Sequence, residues 1–314
     1  MKRVLVVYYS QTGQLGTVVE SFMAPLAANP DIALHCVVLR PRTPYPFPWP
    51  FLRFFDAFPE SVYLDAPPLE PLPLPEDESF DLVILAYQVW FLSPSLPVSA
   101  FLKSDAARRL LAGKPVVTLI ACRNMWLMAQ EKMKSLLAQI GARLVDNVVL
   151  TDRGGLATFI TTPRWLLTGR KNSFWGMPAA GVAGEDIAAC ARFGRALAVA
   201  LARDEETSGR PMLTGLRAAS VETRLIASER IGERSFLLWG RLLRAVGAPG
   251  SRTRVPVLMV YAAFLVCAIV TVVPLTLILK AALQPWMGHR LAKQQAYFEL
   301  PSGSSAERMG EFGG

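Results

Sequence analysis

Residues 10–15 form a polar loop, Ser-Gln-Thr-Gly-Gln-Leu, directly after an apolar run at the start of the chain. Such a loop, placed between a strand and a helix, can bind an anion, because its backbone N–H groups and the helix dipole face the ligand. The loop contains neither GxGxxG nor GK[ST], so the dinucleotide and nucleoside-triphosphate motifs are absent and a phosphate monoester fits better. The candidate binding residues here are Ser10, Gln11, Thr12, Gly13, Gln14 and Leu15.

The elements around this loop predict an α/β fold with a doubly wound, five-stranded parallel sheet. Apolar runs predict strands, and apolar residues at helical spacing between them predict helices. The predicted strands lie at 3–9, 32–39, 80–87, 116–122 and 143–151. Ligands of such sheets bind outside the carboxyl ends of the strands, so the loops at 10–15, 88–95 and 122–127 are expected to meet at one site.

Histidine and cysteine are too sparse for most metal or nucleophilic sites. The chain has four scattered cysteines, Cys36, Cys122, Cys190 and Cys267, and two histidines, His35 and His289. We therefore expect no metal site, no Ser-His-Asp arrangement and no disulfide framework, in keeping with a reducing cytoplasm. Arg123 could lower the pKa of the Cys122 thiol, but we interpret Cys122 as a small apolar filler.

Two segments do not belong to the minimal alternation of strands and helices. The first insertion, residues 40–79, is rich in proline and aromatic residues, and its prolines exclude helix over much of its length. It is either a packed surface excursion, or a lid or a flap that contacts the membrane. The second insertion, residues 156–184, follows the last strand and could cover the same site.

The C-terminal part contains an apolar segment long enough to cross a membrane. Residues 255–279 carry no charge, and as a helix they would be about 37 Å long, against about 30 Å for the hydrocarbon core of a bilayer. Residues 208–254 contain nine arginines and three glutamates. A nucleic-acid surface is possible, but a basic segment beside an apolar span is explained more simply by anionic lipid.

These patterns predict an N-terminal domain at 1–205, a basic amphipathic juxtamembrane segment at 206–254, a transmembrane helix at 255–283 and a polar tail at 284–314. A core helix and core packing are the alternatives for the apolar and basic segments. The Gly/Ser-rich tail after Pro301 is predicted to be disordered. We expect the protein at the cytoplasmic (inner) membrane, with the N-terminal domain facing the cytoplasm, membrane lipid as partner and no nucleic acid.

The stretch VLVVYYSQTGQLGTVVESF, residues 4–22, resembles the N-terminal signature of flavodoxins and flavodoxin-like NAD(P)H:quinone reductases. The loop of that family reads roughly [ST]-x-T-G-x-T. Ser10, Thr12 and Gly13 match it, and Leu15 stands at the position of the second threonine. The resemblance covers about residues 1–203 and implies a flavodoxin-like fold with FMN as cofactor, its phosphate held by this loop.

The resemblance also implies roles for two later loops. The segment YQVWFLSPSLP, residues 87–97, is similar to the one that borders the isoalloxazine ring, and CRNMW, residues 122–126, would lie at the remaining edge of the ring. Trp90 or Phe91 would then stack on the flavin. The other implied ring contacts are Gln88, Val89, Arg123 and Asn124.

A narrower resemblance is to bacterial proteins labelled dialkylresorcinol condensing enzymes, and it rests on PFPWPFLRFFDAFPE together with the C-terminal apolar segment. A thiolase-type condensing enzyme needs a nucleophilic cysteine with histidine partners, which the chain does not supply. We expect a membrane-anchored FMN oxidoreductase that passes electrons from NAD(P)H to a quinone or a lipid intermediate. The alternatives are a protein of dialkylresorcinol-type lipid biosynthesis and a non-catalytic membrane scaffold.

Overall fold

The computed structural model describes residues 1–75 and 78–313, without the side chains of residues 272–274 and 276–288. The expected transmembrane segment therefore lies partly outside the described side chains. The strands are β1 (Lys2–Tyr8), β2 (Ile32–Val38), β3 (Leu82–Tyr87), β4 (Val89–Trp90), β5 (Ser93–Pro94), β6 (Pro115–Cys122) and β7 (Arg143–Thr151).

Five of these strands form one parallel sheet in the order β2-β1-β3-β6-β7, as the sequence predicts. β4 and β5 pair separately as a short antiparallel hairpin. The winding of the sheet reverses between β1 and β3, which is the flavodoxin-like arrangement and opens a crevice at the carboxyl ends of these two strands. Every residue of β3 is buried, which explains its continuous apolar sequence.

Helices cover both faces of the sheet, and two clusters of buried apolar side chains lie between the helices and the strands. The helices are α1 (Gln14–Ala27), α2 (Phe51–Asp56), α3 (Phe58–Tyr63), α4 (Leu96–Leu102), α5 (Asp105–Leu111), α6 (Leu127–Ile140), α7 (Thr158–Thr168), α8 (Gly184–Ala189), α9 (Ala191–Ala202), α10 (Thr223–Val246), α11 (Arg254–Glu299) and α12 (Met309–Phe312). α4 and α5 are separate helices, because the Ser104 hydroxyl caps α5 by accepting the N–H of Ala107.

The first insertion contains two helices, so the prediction that its prolines exclude helix was wrong over residues 51–63. α2 begins directly after Pro50, and Pro59 lies in the first turn of α3, where a helix needs no N–H donor. Trp49 and Phe58 are buried, whereas Phe51 remains 44% exposed. The insertion is therefore mainly packed structure with an apolar edge in solvent.

The C-terminal part forms a helical pair in which α10 and α11 pack against each other and against α2 and α3. Among the described residues, one stretch is long and apolar enough to cross a membrane, Arg254–Thr271, and only 22% of it is buried. That burial is low for the alternative of a core helix. The tail after Pro301 is ordered against the sheet domain, contrary to the prediction of disorder, because Ser302 is buried and hydrogen-bonded to Asp146.

Candidate functional site

The loop after β1 begins α1 through a left-handed glycine. Gly13 has φ 84° and occupies the N-cap position. The Ser10 hydroxyl accepts the N–H of Gly16 at 3.1 Å, and the Thr12 hydroxyl accepts the N–H of Gln14 at 3.4 Å. Each hydroxyl still carries a proton that it can donate to a ligand.

Several backbone donors of the same loop remain without an acceptor. In the part of the chain that the structure describes, no hydrogen bond is found for the N–H groups of Gln11, Thr12, Gly13 and Leu15. The Leu15 side chain is 2% exposed and belongs to the core, so this position contributes its backbone and no hydroxyl. The loop is a set of backbone donors at a helix N-terminus, which suits an anion.

The two glutamine side chains of the loop form hydrogen bonds with the insertions. Gln11 Nε2 donates to the carbonyl of Pro46 at 3.1 Å. The Gln14 amide forms two bonds with the backbone of Val182, at 3.0 and 3.1 Å. The insertions also meet each other, since the N–H of Trp49 donates to the carbonyl of Leu166 at 2.8 Å. Both insertions therefore border the loop.

An aromatic cluster, defined here as Tyr9, Tyr45, Trp49 and Trp90, lies between β1, the first insertion and β4. The Trp90 ring lies 5.0 Å from Tyr45, 5.6 Å from Trp49 and 6.1 Å from Tyr9, in steep edge-on arrangements. Burial raises the pKa of Tyr9 to about 12 and raises that of Tyr45 further, so both phenols are neutral at physiological pH.

The structure separates the two candidate stacking residues. Phe91 turns away from the aromatic cluster to the helical side, where its ring lies 5.1 Å from Phe54 and 5.2 Å from Phe58. Of the pair, Trp90 is thus the one that packs beside the loop after β1. Val89 pairs with Pro94 in the β4–β5 hairpin.

Gln88 carries an unused donor at the carboxyl end of β3. Its Nε2 atom is buried and has no hydrogen-bond partner within the described residues, while its carbonyl accepts the N–H of Ser95 at 3.0 Å. Thr161 and Thr162 on α7, in the second insertion, also have buried hydroxyls without a partner. Buried polar atoms of this kind cost free energy unless a ligand or water satisfies them.

The loop after β6 places a positive charge beside the same edge of the sheet. The Arg123 guanidinium stacks 4.0 Å above the Phe159 ring, and its Nη2 atom lies 3.2 Å from the sulfur of Met125. No carboxylate of the described residues lies within 4.0 Å of it, and burial lowers its pKa. Asn124 accepts the N–H of Met125 at 2.8 Å and lines an open cleft of about 370 Å³.

Cys122 behaves as the filler that the sequence suggests. Burial raises the pKa of its thiol strongly, and the opposing effect of the Arg123 charge is smaller. Its thiol therefore stays protonated at physiological pH. Across the described residues, no group of three or more histidine, cysteine or acidic side chains could hold a metal ion.

Sequence reasoning missed Glu229, a buried carboxyl that α10 brings to the loop after β6. Its side chain is almost fully buried and accepts the N–H of Met128 at 3.1 Å, at the start of α6. Burial raises its pKa from 4.5 to about 8, against the opposing effects of the α6 N–H groups and of Arg123. Its helical spacing from Ile226 was the available signal, but the arginines around it indicated a surface.

Comparisons with known proteins find only solved structures of low sequence identity to this chain. A scan against models of protein families gave no match, and neither did a search of curated proteins. One similar solved structure is a flavoprotein from Lactobacillus acidophilus in complex with FMN, at 16% identity and a TM-score of 0.38, over 48% of this chain and 93% of that one. Another is an apo NADH:FMN oxidoreductase, at 15% identity and a TM-score of 0.28, over 48% and 75%. We draw no functional conclusion from likeness at this level.

Proposed function

We propose that the protein is a membrane-attached oxidoreductase that binds FMN in the crevice between β1 and β3. The observation that carries the proposal is a set of unsatisfied donors at one edge of the sheet. It comprises four backbone N–H groups of the loop at 10–15 and the buried Nε2 atom of Gln88. The loop would hold a phosphate through its N–H groups and through the Ser10 and Thr12 hydroxyls.

Four side chains would surround the ring system on three sides. Trp90 offers an aromatic face or edge, Gln88 offers an amide donor, and Arg123 with its neighbour Asn124 closes the third side. When bound, FMN would supply the electron or hydride transfer, while the protein supplies binding, orientation and charge. Arg123 would keep a positive charge beside the ring, which favours an electron-rich ligand.

The membrane enters the proposal through α10 and α11. α10 contributes Glu229 to the start of α6 and packs against the apolar α11, so the candidate site and the apolar helix share a structural element. An attached enzyme fits an acceptor that is dissolved in the bilayer. We therefore propose NAD(P)H as the electron donor and a quinone or another lipid-soluble molecule as the acceptor, with the domain on the cytoplasmic side of the inner membrane.

A matched pair of substitutions on α1 and its loop tests the phosphate site. Thr12→Val removes a hydroxyl that would contact the phosphate and is expected to weaken FMN binding by about 1–3 kcal/mol, the cost of losing a hydrogen bond to a charged group. Thr17→Val makes the same change five residues later on an exposed side chain and should leave the affinity unchanged. Titration of the stripped protein with FMN, followed by flavin fluorescence, measures both.

Equal affinities for both variants and the unmodified chain would remove the phosphate-site assignment. The second candidate function, a non-catalytic membrane scaffold, would then be favoured. Its supporting observation is that the Ser10 and Thr12 hydroxyls already cap α1 and that Gln11 and Gln14 already bind the insertions. Acyl condensation is not proposed, because desolvation raises the pKa of the half-buried Cys122 thiol and keeps it protonated.

A further inference from the structure

The C-terminal tail, residues 300–313, is attached to the N-terminal domain through buried polar contacts. The Ser302 hydroxyl donates to Asp146 at 2.7 Å and accepts the N–H of Asn147 at 2.7 Å. All three residues are buried, and Asp146 and Asn147 belong to β7, an edge strand of the sheet. The tail therefore lies on the same side of any membrane as the sheet.

Contacts further along the tail also attach it to the N-terminal domain. The N–H of Arg217 donates to the carbonyl of Ser305 at 2.7 Å. The side chain of Arg195, on α9, donates to the carbonyls of Phe312 and Gly313 at 2.6 and 2.7 Å. The attachment thus extends over the whole tail.

The beginning of α11 is also fixed to the domain. Arg254 is 1% exposed and donates to Glu60 of α3 at 2.9 Å and to Asp56 of α2 at 3.3 Å. About two turns later, the Tyr261 ring stacks on the Phe58 ring at 4.4 Å. Both ends of α11 are therefore held by the domain to which the candidate site belongs.

Contacts with α10 require α11 to bend. The Phe264 ring lies 5.2 Å from the Trp239 ring, and the Phe298 ring lies 5.8 Å from the guanidinium carbon of Arg230. Trp239 and Arg230 are separated by about 14 Å along α10. When the two ring contacts and the lengths of the fully extended side chains are added to this separation, the Cα atoms of Phe264 and Phe298 lie no more than about 45 Å apart. A straight helix between these two residues would be about 51 Å long.

A single crossing of the bilayer conflicts with these contacts. It would place the tail beyond a hydrocarbon core about 30 Å thick, where the tail could not reach β7. We propose that α11 enters the leaflet that faces the N-terminal domain and returns to the same side, so that the protein is attached to one face of the membrane. This inference goes beyond the proposed function and does not depend on bound FMN.

The surface beside α11 has the chemistry of a lipid-binding face. On α10, Ile231, Leu238 and Leu242 are exposed large apolar side chains at helical spacing, and the exposed arginines Arg234 and Arg241 lie between them. Such a pattern places apolar groups among acyl chains and arginines among anionic headgroups. On α11 the exposed apolar side chains are Met259, Val260, Phe264, Val266 and Val270. The occupant of this surface is therefore an anionic phospholipid leaflet.

Thiol labelling of the full chain in membranes tests the topology. The native Cys36 reports the position of the domain, and the native Cys267 reports the apolar helix; both are exposed in the absence of lipid. The variant Gly310→Cys adds a reporter in the tail, where a new Cβ meets no atom within 4 Å. Each reporter is studied alone, with Cys36→Ser and Cys267→Ala removing the other reporters and with Cys122→Ala and Cys190→Ala removing the remaining native thiols. A membrane-impermeant maleimide is added to spheroplasts and to inverted vesicles.

The domain thiol and the tail thiol are expected to react in the same preparation and to be protected in the other. The Cys267 thiol should react in neither until detergent is added. Reaction of the tail thiol and of Cys36 in opposite preparations would show a single crossing and overturn the proposal. Reaction of Cys267 in intact membranes would overturn it as well. A chain that stays in the soluble fraction as a dimer, with Cys267 shielded there, would identify a second copy as the occupant and would also overturn it.

Discussion

Glu229 shows how much a single buried residue can affect the stability of this protein. Its folded-state pKa of about 8 lies above the 4.5 of an unperturbed carboxyl. The folded chain therefore keeps a proton that the unfolded chain loses between these pH values, and the stability that the neutral carboxyl provides is lost as pH rises towards 8. We expect the free energy of unfolding in mild detergent to fall over this range, by up to about 1.4 kcal/mol per pH unit.

The substitution Glu229→Gln should flatten this dependence, because an amide does not titrate, while its oxygen can still accept the N–H of Met128. Glu222→Gln changes an exposed residue at the start of the same helix and should keep the pH dependence of the unmodified chain. Chemical unfolding at a series of pH values measures both. An unchanged slope in Glu229→Gln would mean that Glu229 is not the group that titrates.

The sequence predicts the residues of the loop after β1 better than it predicts their contacts. Residue types and spacing are enough to identify a donor-rich loop at a helix start, and the structure adds that Gly13 has a positive φ there. The partners of Gln11 and Gln14 come from segments 35 and 168 residues away. Such distant pairs follow from how the insertions fold, which no local pattern of residues encodes.

At the scale of elements, the attachment of the tail to β7 depends on one atom, the hydroxyl oxygen of Ser302, which a single substitution removes. Ser302→Ala removes two buried hydrogen bonds, one to the Asp146 carboxylate and one from the N–H of Asn147. We expect this change to lower the free energy of unfolding by about 1–3 kcal/mol. Ser305→Ala is the matched control, since the carbonyl of Ser305, which accepts the N–H of Arg217, survives the change. Limited proteolysis of the tail and chemical unfolding measure the effect. Equal behaviour of the two variants would show that the Ser302 hydroxyl does not hold the tail.

Elements whose stability is local were predictable, and elements held by distant contacts were not. The apolar strands and α1 follow from composition and periodicity. α2 and α3 were missed because prolines usually end helices, whereas here Pro50 and Pro59 stand at helix starts. The tail looked disordered because its Gly/Ser composition provides little apolar surface, yet buried hydrogen bonds to Asp146 order it.

At the scale of the whole molecule, the flavodoxin-like sheet, the candidate site and the apolar helix form one connected structure. α10 contacts both α6, near the candidate site, and α11, and both insertions border the loop after β1. The order of the strands could be predicted because alternating strands and helices allow few topologies. The return of the chain from α11 to β7 could not be predicted, because an apolar segment of this length is equally compatible with a full crossing of the bilayer.

The most direct test of the central claim is the flavin content of the full-length protein, purified in mild detergent. We expect a yellow protein with the absorption bands of an oxidised flavin, from which acid denaturation releases FMN that mass spectrometry identifies. Protein stripped of this flavin should take up added FMN and recover the same spectrum. A colourless protein that also fails to bind added FMN would contradict the proposed function.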